Sequence, residues 1–246
     1  MISESKVIVP IDGQLESLAA ILGITGNSAR GYLNDLRMNG GLLFGLNTKA
    51  AKEPSFGETR FNKTSDFRAW REAMYIAVRT IRPVVVMETG VHHGFSSALI
   101  LQALADNGGG KLFSVDMDPE SEGYILEPSL RAIPNGKKPG WIVPDGLRDR
   151  WELFLLPSRA FMESWDGLPG LNGHGIDIFI HDSDHSPDNV RAEIEWAWPR
   201  INPGGLLVVD NAERGMAAHQ SWTSYSIINV SSPDEAKWET MFIRKG

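Results

Sequence analysis

A junction at residues 84–97 constrains the fold more than any other part of the sequence. The run Val84-Val85-Val86-Met87 passes directly into Glu88-Thr89-Gly90-Val91-His92-His93-Gly94-Phe95-Ser96-Ser97, and then into a segment with Leu101, Leu104 and Ala105 at helical spacing. A continuous, mostly β-branched run suits a parallel strand buried on both faces, and the glycines suit a tight turn into the following helix. Gly108-Gly109-Gly110 closes that helix. The same alternation then repeats, with strands expected at residues 112–116, within 151–156, at 176–181 and at 206–210. Before the last of these, Ser186 and Pro187 open a helix that buries Val190, Ile194 and Trp198 and is expected to stop before Pro199. Repeated βα units imply a doubly wound α/β sheet with ligands at the carboxyl ends of its strands. Residues 225–230 and 239–244 read as two further strands joined through Ser231-Ser232-Pro233-Asp234.

Upstream of the junction a helix is expected from Asp66 through Arg79, with Phe67, Trp70, Met74 and Ala77 on one face and Pro83 as its stop. Further upstream, Leu15, Leu18, Ala19 and Leu22 recur at helical spacing between Asp12, an expected N-cap, and Gly23. A second short helix is expected over 28–38, before Gly40-Gly41. Residues 47–64 are polar and broken by Pro54 and Gly57, which reads as an extended surface segment. We therefore divide the chain into an N-terminal helical extension, residues 1–65, which is either a plain appendage or a lid, and an α/β domain, residues 66–246. The extension holds seven Lys/Arg and six Asp/Glu, so the acid excess of the chain lies wholly in the second part.

Composition removes several function classes. The chain has no cysteine, which excludes disulfides, a thiolate zinc site, a Cys-ligated iron–sulfur cluster and a cysteine nucleophile. Any metal must be held by oxygen or imidazole. A formal charge of −7 argues against nucleic acid as a partner. No apolar run approaches the length of a membrane span, and no leader pattern opens the chain. The expectation is a soluble, cytoplasmic protein acting on a small molecule, with homo-oligomerisation left open.

The chemistry concentrates at strand ends. Gly90 and Gly94 leave room for close approach to the backbone, and a helix N-terminus offers free N–H groups to an anion; a plain structural turn is the competing reading. The turn lacks the G-x-G-x-x-G spacing of a dinucleotide site. Glu88 before it suits a cationic amine, and Asp116, 28 positions on, is an acid placed to accept from ribose hydroxyls. Asp182 follows the fourth strand and Asp210-Asn211 ends the fifth; in a parallel sheet both open on the rim that carries the glycine turn.

The segment from Val86 to Ser96 resembles motif I of class I S-adenosylmethionine (SAM)-dependent methyltransferases, particularly O-methyltransferases whose turn reads E-x-G-x-x-x-G-[YF]-S. Within that superfamily the chain resembles the small-molecule and sugar group, through His181-Asp182-Ser183-Asp184-His185-Ser186 and Pro203-Gly204-Gly205. The resemblance covers residues 66–246 and implies a Rossmann-like, seven-stranded sheet. It implies SAM as cofactor, with contacts from Glu88, Gly90, Val91, Gly94, Ser96, Asp116, Met117, Ser158 and Asp182. Similarity to metal-dependent catechol-type enzymes implies one Mg²⁺, with Mn²⁺ or Ca²⁺ as alternatives, on Asp182, Asp210 and Asn211, all hard oxygen donors.

His185 stands where the catechol-type enzymes place a lysine base, and a neutral imidazole can take a hydroxyl proton near pH 7. The implied reaction is methyl transfer to a hydroxyl of a sugar or phenolic acceptor, with Asp182 and His185 as catalytic residues. Arg214, His219, Trp222 and residues 121–150, including Tyr124 and Trp141, are the expected acceptor wall. A metal-dependent hydroxylase related to this group and a non-catalytic SAM-binding domain are the rival readings.

Overall fold

The computed structural model describes residues 11–38, 40–56, 69–121, 133–165, 173–210, 225–230 and 240–246. Three helices, α1 (Leu15–Leu22), α2 (Gly26–Met38) and α3 (Gly40–Ala51), precede α4 (Ala69–Ile81). Then follow β1 (Val85–Thr89), α5 (Phe95–Asn107), β2 (Lys111–Asp116), β3 (Trp151–Leu155), α6 (Ser158–Ser164), β4 (Ile176–His181), α7 (Pro187–Arg200), β5 (Ile201–Val209), β6 (Tyr225–Val230) and β7 (Thr240–Lys245). The strands lie in the order β3-β2-β1-β4-β5-β7-β6. The first five are parallel, and β7 runs antiparallel between β5 and β6. β1 sits between β2 and β4, and the chain reverses its winding direction there, so the carboxyl ends of β1, β2 and β4 border the crevice where ligands of doubly wound sheets bind.

Side-chain alternation along the strands divides the interior into two layers. Val86, Ile178, Ile180, Leu206, Val208 and Phe242 pack with α4, α5 and the N-terminal helices. Val85, Met87, Phe113, Phe179, Leu207 and Ile243 face the opposite way, toward α6 and α7. All of β1 is buried, as its unbroken apolar run requires of a strand covered on both faces.

The N-terminal helices share the first layer with the sheet. Leu15, Leu18, Leu33 and Leu46 are buried in one cluster with Trp70, Met74, Val86 and Leu99. Arg244 of β7 ties this layer to the sheet by donating to the carbonyls of Ile21, at 2.9 Å, and Gly204, at 3.3 Å.

Four boundaries differ from expectation. α1 starts after a 3₁₀ turn over Ile11–Gln14, so Gln14 rather than Asp12 occupies the N-cap. Residues 47–51 are not extended but close α3, because Leu42, Leu46 and Ala50 recur every fourth residue and bury one stripe. α7 continues through Pro199, and β5 begins five residues before Leu206, its start absorbed by a register shift against β4. Asp66 and Phe67 lie outside the described residues.

If the N-terminal helices are part of one cooperative unit, Leu33→Ala should lower unfolding stability by about 2–5 kcal/mol in a single urea transition followed by circular dichroism. Two separated transitions would instead mark the extension as an independent unit.

Candidate active site

The glycine turn is shaped by contacts within the chain. Gly90 has φ +83°, and a Cβ there would fall 2.0 Å from the carbonyl oxygen of Asp182. Gly94, φ +96°, caps α5, and a Cβ would fall 2.7 Å from the Cα of Gly140. Both glycines are needed where the sequence suggested, but for the approach of protein backbone. The loop after β4 is thereby drawn against the end of β1, where the amide of Asp182 donates to the carbonyl of Thr89 at 2.9 Å.

Asp116, at the end of β2, holds the turn from below. Its Oδ2 accepts from the amides of Val91 at 2.9 Å and His92 at 2.7 Å, and its Oδ1 accepts from Met117 at 2.7 Å. These bonds stabilise His92 in a left-handed conformation, φ 54°. Burial pushes the Asp116 carboxyl above the usual range, and the three amides act in the opposite direction.

Glu88 is enclosed by the protein. It is fully buried, and its carboxylate accepts from the hydroxyls of Ser96 at 2.7 Å, Ser97 at 2.6 Å and Ser114 at 2.9 Å. Desolvation raises its pKa while the serine hydroxyls oppose that rise. The carboxylate thereby forms an internal brace between β1, β2 and α5. Ser96 is part of that brace. Ser158, at the start of α6, uses its hydroxyl on Glu193.

Glu193 is the residue that sequence reasoning missed. It is fully buried on α7, between Val190 and Ile194 of the apolar stripe. Its Oε2 receives Thr89 Oγ1 at 2.5 Å and His181 Nδ1 at 2.7 Å, and its Oε1 receives Ser183 Oγ at 2.8 Å and Asn189 Nδ2 at 3.1 Å. Burial alone would raise its pKa, but the His181 partner and the Ser158 and Thr89 hydroxyls outweigh it and hold the carboxyl at about 2. An ionised carboxylate only accepts, so the shared proton sits on His181 Nδ1. A carboxylate inside an apolar helical stripe was the available sequence signal.

Above this hub, Asp182, His185 and Asp210 converge. His185 Nε2 lies 3.7 Å from Asp182 Oδ1 and 3.9 Å from Asp210 Oδ2. One donor atom from each of the three lies within 4.8 Å of the other two. Thr240 Oγ1 donates to Asp210 Oδ1 at 2.6 Å, which fixes that carboxylate with Oδ2 toward the histidine. Ligands of one Mg²⁺ at about 2.1 Å stand no more than about 4.2 Å apart, so two of the three separations already suit a shared ion. Two carboxylates and an imidazole fit a hard or borderline divalent cation. Asn211, Tyr124, Arg214, His219 and Trp222 lie outside the described residues.

On the far side of the turn His93 is buried, 4.9 Å from the Phe56 ring and accepting from Trp141 Nε1 at 3.0 Å. The amides of Gly140 and Ile142 donate to the carbonyls of His92 and His93. Residues 140–143 and the end of the N-terminal helices therefore cover the outer face of the turn.

An open, mostly parallel sheet with a glycine turn and acids at its carboxyl rim is the architecture of the doubly wound ligand-binding α/β class. A family model described as a methyltransferase domain matches residues 87–212, just over half of the chain, and the protein belongs to that methyltransferase family. Solved structures share the fold. An O-methyltransferase from Bacillus cereus in complex with SAH is 13% identical, with 95% of this chain and 97% of that chain covered and a TM-score of 0.54. The O-methyltransferase TomG from Streptomyces achromogenes, involved in tomaymycin synthesis and in complex with SAM, is 17% identical over 72% of this chain and 80% of that one, TM-score 0.52. An SAH-bound methyltransferase from Podospora anserina is 13% identical over 83% and 88%, TM-score 0.53. No curated protein sequence matches significantly. Among the described residues no helix is long and apolar enough to cross a membrane.

Gly90→Ala should be destabilised by at least about 1–3 kcal/mol, the cost of strained backbone, with loss of any ligand binding that uses the 182–185 loop; an unchanged melting temperature would contradict the close approach. The depressed pKa of Glu193 contributes stability that is full above about pH 4.5, the ordinary value, and is lost as pH falls toward about 2. Glu193→Gln should therefore flatten the acid limb of a stability-against-pH curve between those values.

Proposed function

We infer that the protein transfers a methyl group from SAM to a hydroxyl of a small molecule, assisted by a divalent cation. The observation that carries this reading is the convergence of Asp182, His185 and Asp210 on the rim that holds the glycine turn. The neighbours crystallised with SAM or SAH support the cofactor, and the family supports the reaction. The sugar or phenolic nature of the acceptor follows only from the sequence resemblance.

Bound SAM supplies an electrophilic methyl on sulfur, and a bound Mg²⁺ or Mn²⁺ supplies a Lewis acid that lowers the pKa of a hydroxyl. The turn at 90–94 and the N-terminus of α5 form the cofactor seat, with Asp116 fixing the turn and remaining the acid read as the ribose acceptor. Asp182 and Asp210 are the metal ligands, and Asn211 is the third oxygen donor from the sequence reading. His185 accepts the acceptor's hydroxyl proton on Nε2. The two carboxylates, 3.7 and 3.9 Å away, stabilise the imidazolium so formed. Holding acceptor oxygen and methyl in line supplies most of the acceleration.

The donor cluster itself favours a second reading, in which His185 is a third ligand rather than the base. His185→Ala separates the two. As the base, its loss lowers turnover by about 10²–10⁴ with Mn²⁺ affinity unchanged by electron paramagnetic resonance. As a ligand, its loss weakens Mn²⁺ binding together with turnover. Chelation by EDTA should abolish turnover and Mg²⁺ should restore it; full activity in chelator would remove the metal from the account.

A further inference from the structure

Away from the strand ends, a cleft of about 470 Å³ opens between the end of α3 and residues 137–148. Lys49, Lys52 and Glu53 form one wall; Lys137, Trp141, Asp145 and Arg148 form the other. Four cations thus face two carboxylates, and both carboxylates are already engaged. Glu53 pairs with Lys137 at 3.0 Å and accepts from Ser55 Oγ at 2.8 Å, and Asp145 lies 3.4 Å from Arg148. Among the described residues no carboxylate forms an ion pair with Lys49 or Lys52.

The second wall is fixed in advance. Arg148 Nη2 donates to the carbonyls of Gly140 and Val143, both at 3.0 Å, and its guanidinium lies 5.2 Å from the centre of the Trp151 ring. Lys137 stands 5.7 Å from the centre of the Trp141 ring. Lys49 reaches in from the last turn of α3. Partial burial, and then the neighbouring Arg148, hold its ammonium below the ordinary lysine value, with Asp145 acting the other way. A net excess of two positive charges in a concave site of this volume suits a small ligand carrying two negative charges.

We propose that this cleft is a binding site for a small dianion of the phosphate or dicarboxylate class, held by Lys49 and Lys52 against the fixed wall of Lys137 and Arg148. The anion bridges Lys49 and Lys52 to the opposite wall and so links two segments far apart in sequence. Those segments carry Phe56 and Trp141, which pack on His93 of the glycine turn. Closing the cleft therefore favours one arrangement of the turn, and binding at the cleft is linked to binding at the turn. By reciprocity each ligand changes the affinity of the other by the same factor. This linkage rests on the turn being the cofactor seat; the cleft itself does not.

The test titrates the full chain with inorganic phosphate and, separately, with malonate, up to about 5 mM in dilute buffer, where the ionic strength stays low and screening is weak, following lysine side-chain resonances by NMR. Saturable binding of either anion is expected, and the tighter arm identifies the class. Lys49→Ala combined with Lys52→Ala should weaken binding by about tenfold or more, equivalent to about 1.4 kcal/mol, while Lys49→Arg with Lys52→Arg keeps it. Absence of saturable binding by both anions, or equal affinity in the double alanine variant, overturns the site. Repeating the titration with saturating SAH measures the linkage: a changed anion affinity supports it and an unchanged one overturns it, while failure of SAH to bind at all is a failure of the cofactor reading alone.

Discussion

Glu193 carries an ionised carboxylate into the apolar layer between the sheet and α7, where an uncompensated charge costs several kcal/mol. It is tolerated because both oxygens are filled, by Thr89, His181, Ser183, Asn189 and Ser158. Three of these partners stand beside a residue of the site. Thr89 precedes Gly90, while His181 and Ser183 flank Asp182. Asn189 also donates to the carbonyl of Asp184 at 3.0 Å. One buried anion thus fixes the end of β1, the loop after β4 and the start of α7 together. The positions of Asp182 and His185 follow from that arrangement, since a loop held on both sides of Asp182 has little freedom to move it.

Around this hub the two layers of the sheet serve different ends. The layer under α6 and α7 carries the polar hub of Glu193, His181 and Thr89. The layer under α4 and α5, extended by the N-terminal helices, carries the aromatic cover of Phe56, His93 and Trp141. The turn at 90–94 lies between them, and the close approaches at Gly90 and Gly94 bind it to both sides. Displacement of either side is therefore felt at the turn.

Much of this was legible in residue order. The β-branched run before Glu88 places the central strand because only burial on both faces favours such a run, and alternating apolar segments place β2 to β5 to within a few residues. The acids at the ends of β4 and β5 were visible because parallel strands bring their carboxyl ends to one rim. What the sequence concealed depends on contacts between distant segments. Gly90 and Gly94 look the same whether a ligand or a carbonyl lies opposite them. Glu88 and Ser96 read as ligand contacts from the sequence, and the three serine hydroxyls around the carboxylate become visible only in the fold. α3 was hidden by the glycines at 40, 41 and 45 and the polar run that follows, although Leu42, Leu46 and Ala50 trace a helical stripe. Glu193 was hidden because its partners lie up to 104 residues away in the chain.

The most direct test of the account is a crystal structure of the protein grown with SAH and Mn²⁺, with anomalous scattering recorded for the metal. The account predicts SAH seated over residues 90–94 beside Asp116, and one anomalous peak bonded to Asp182 and Asp210. SAH bound elsewhere, or a fully occupied SAH site with no anomalous peak at those carboxylates, would contradict it.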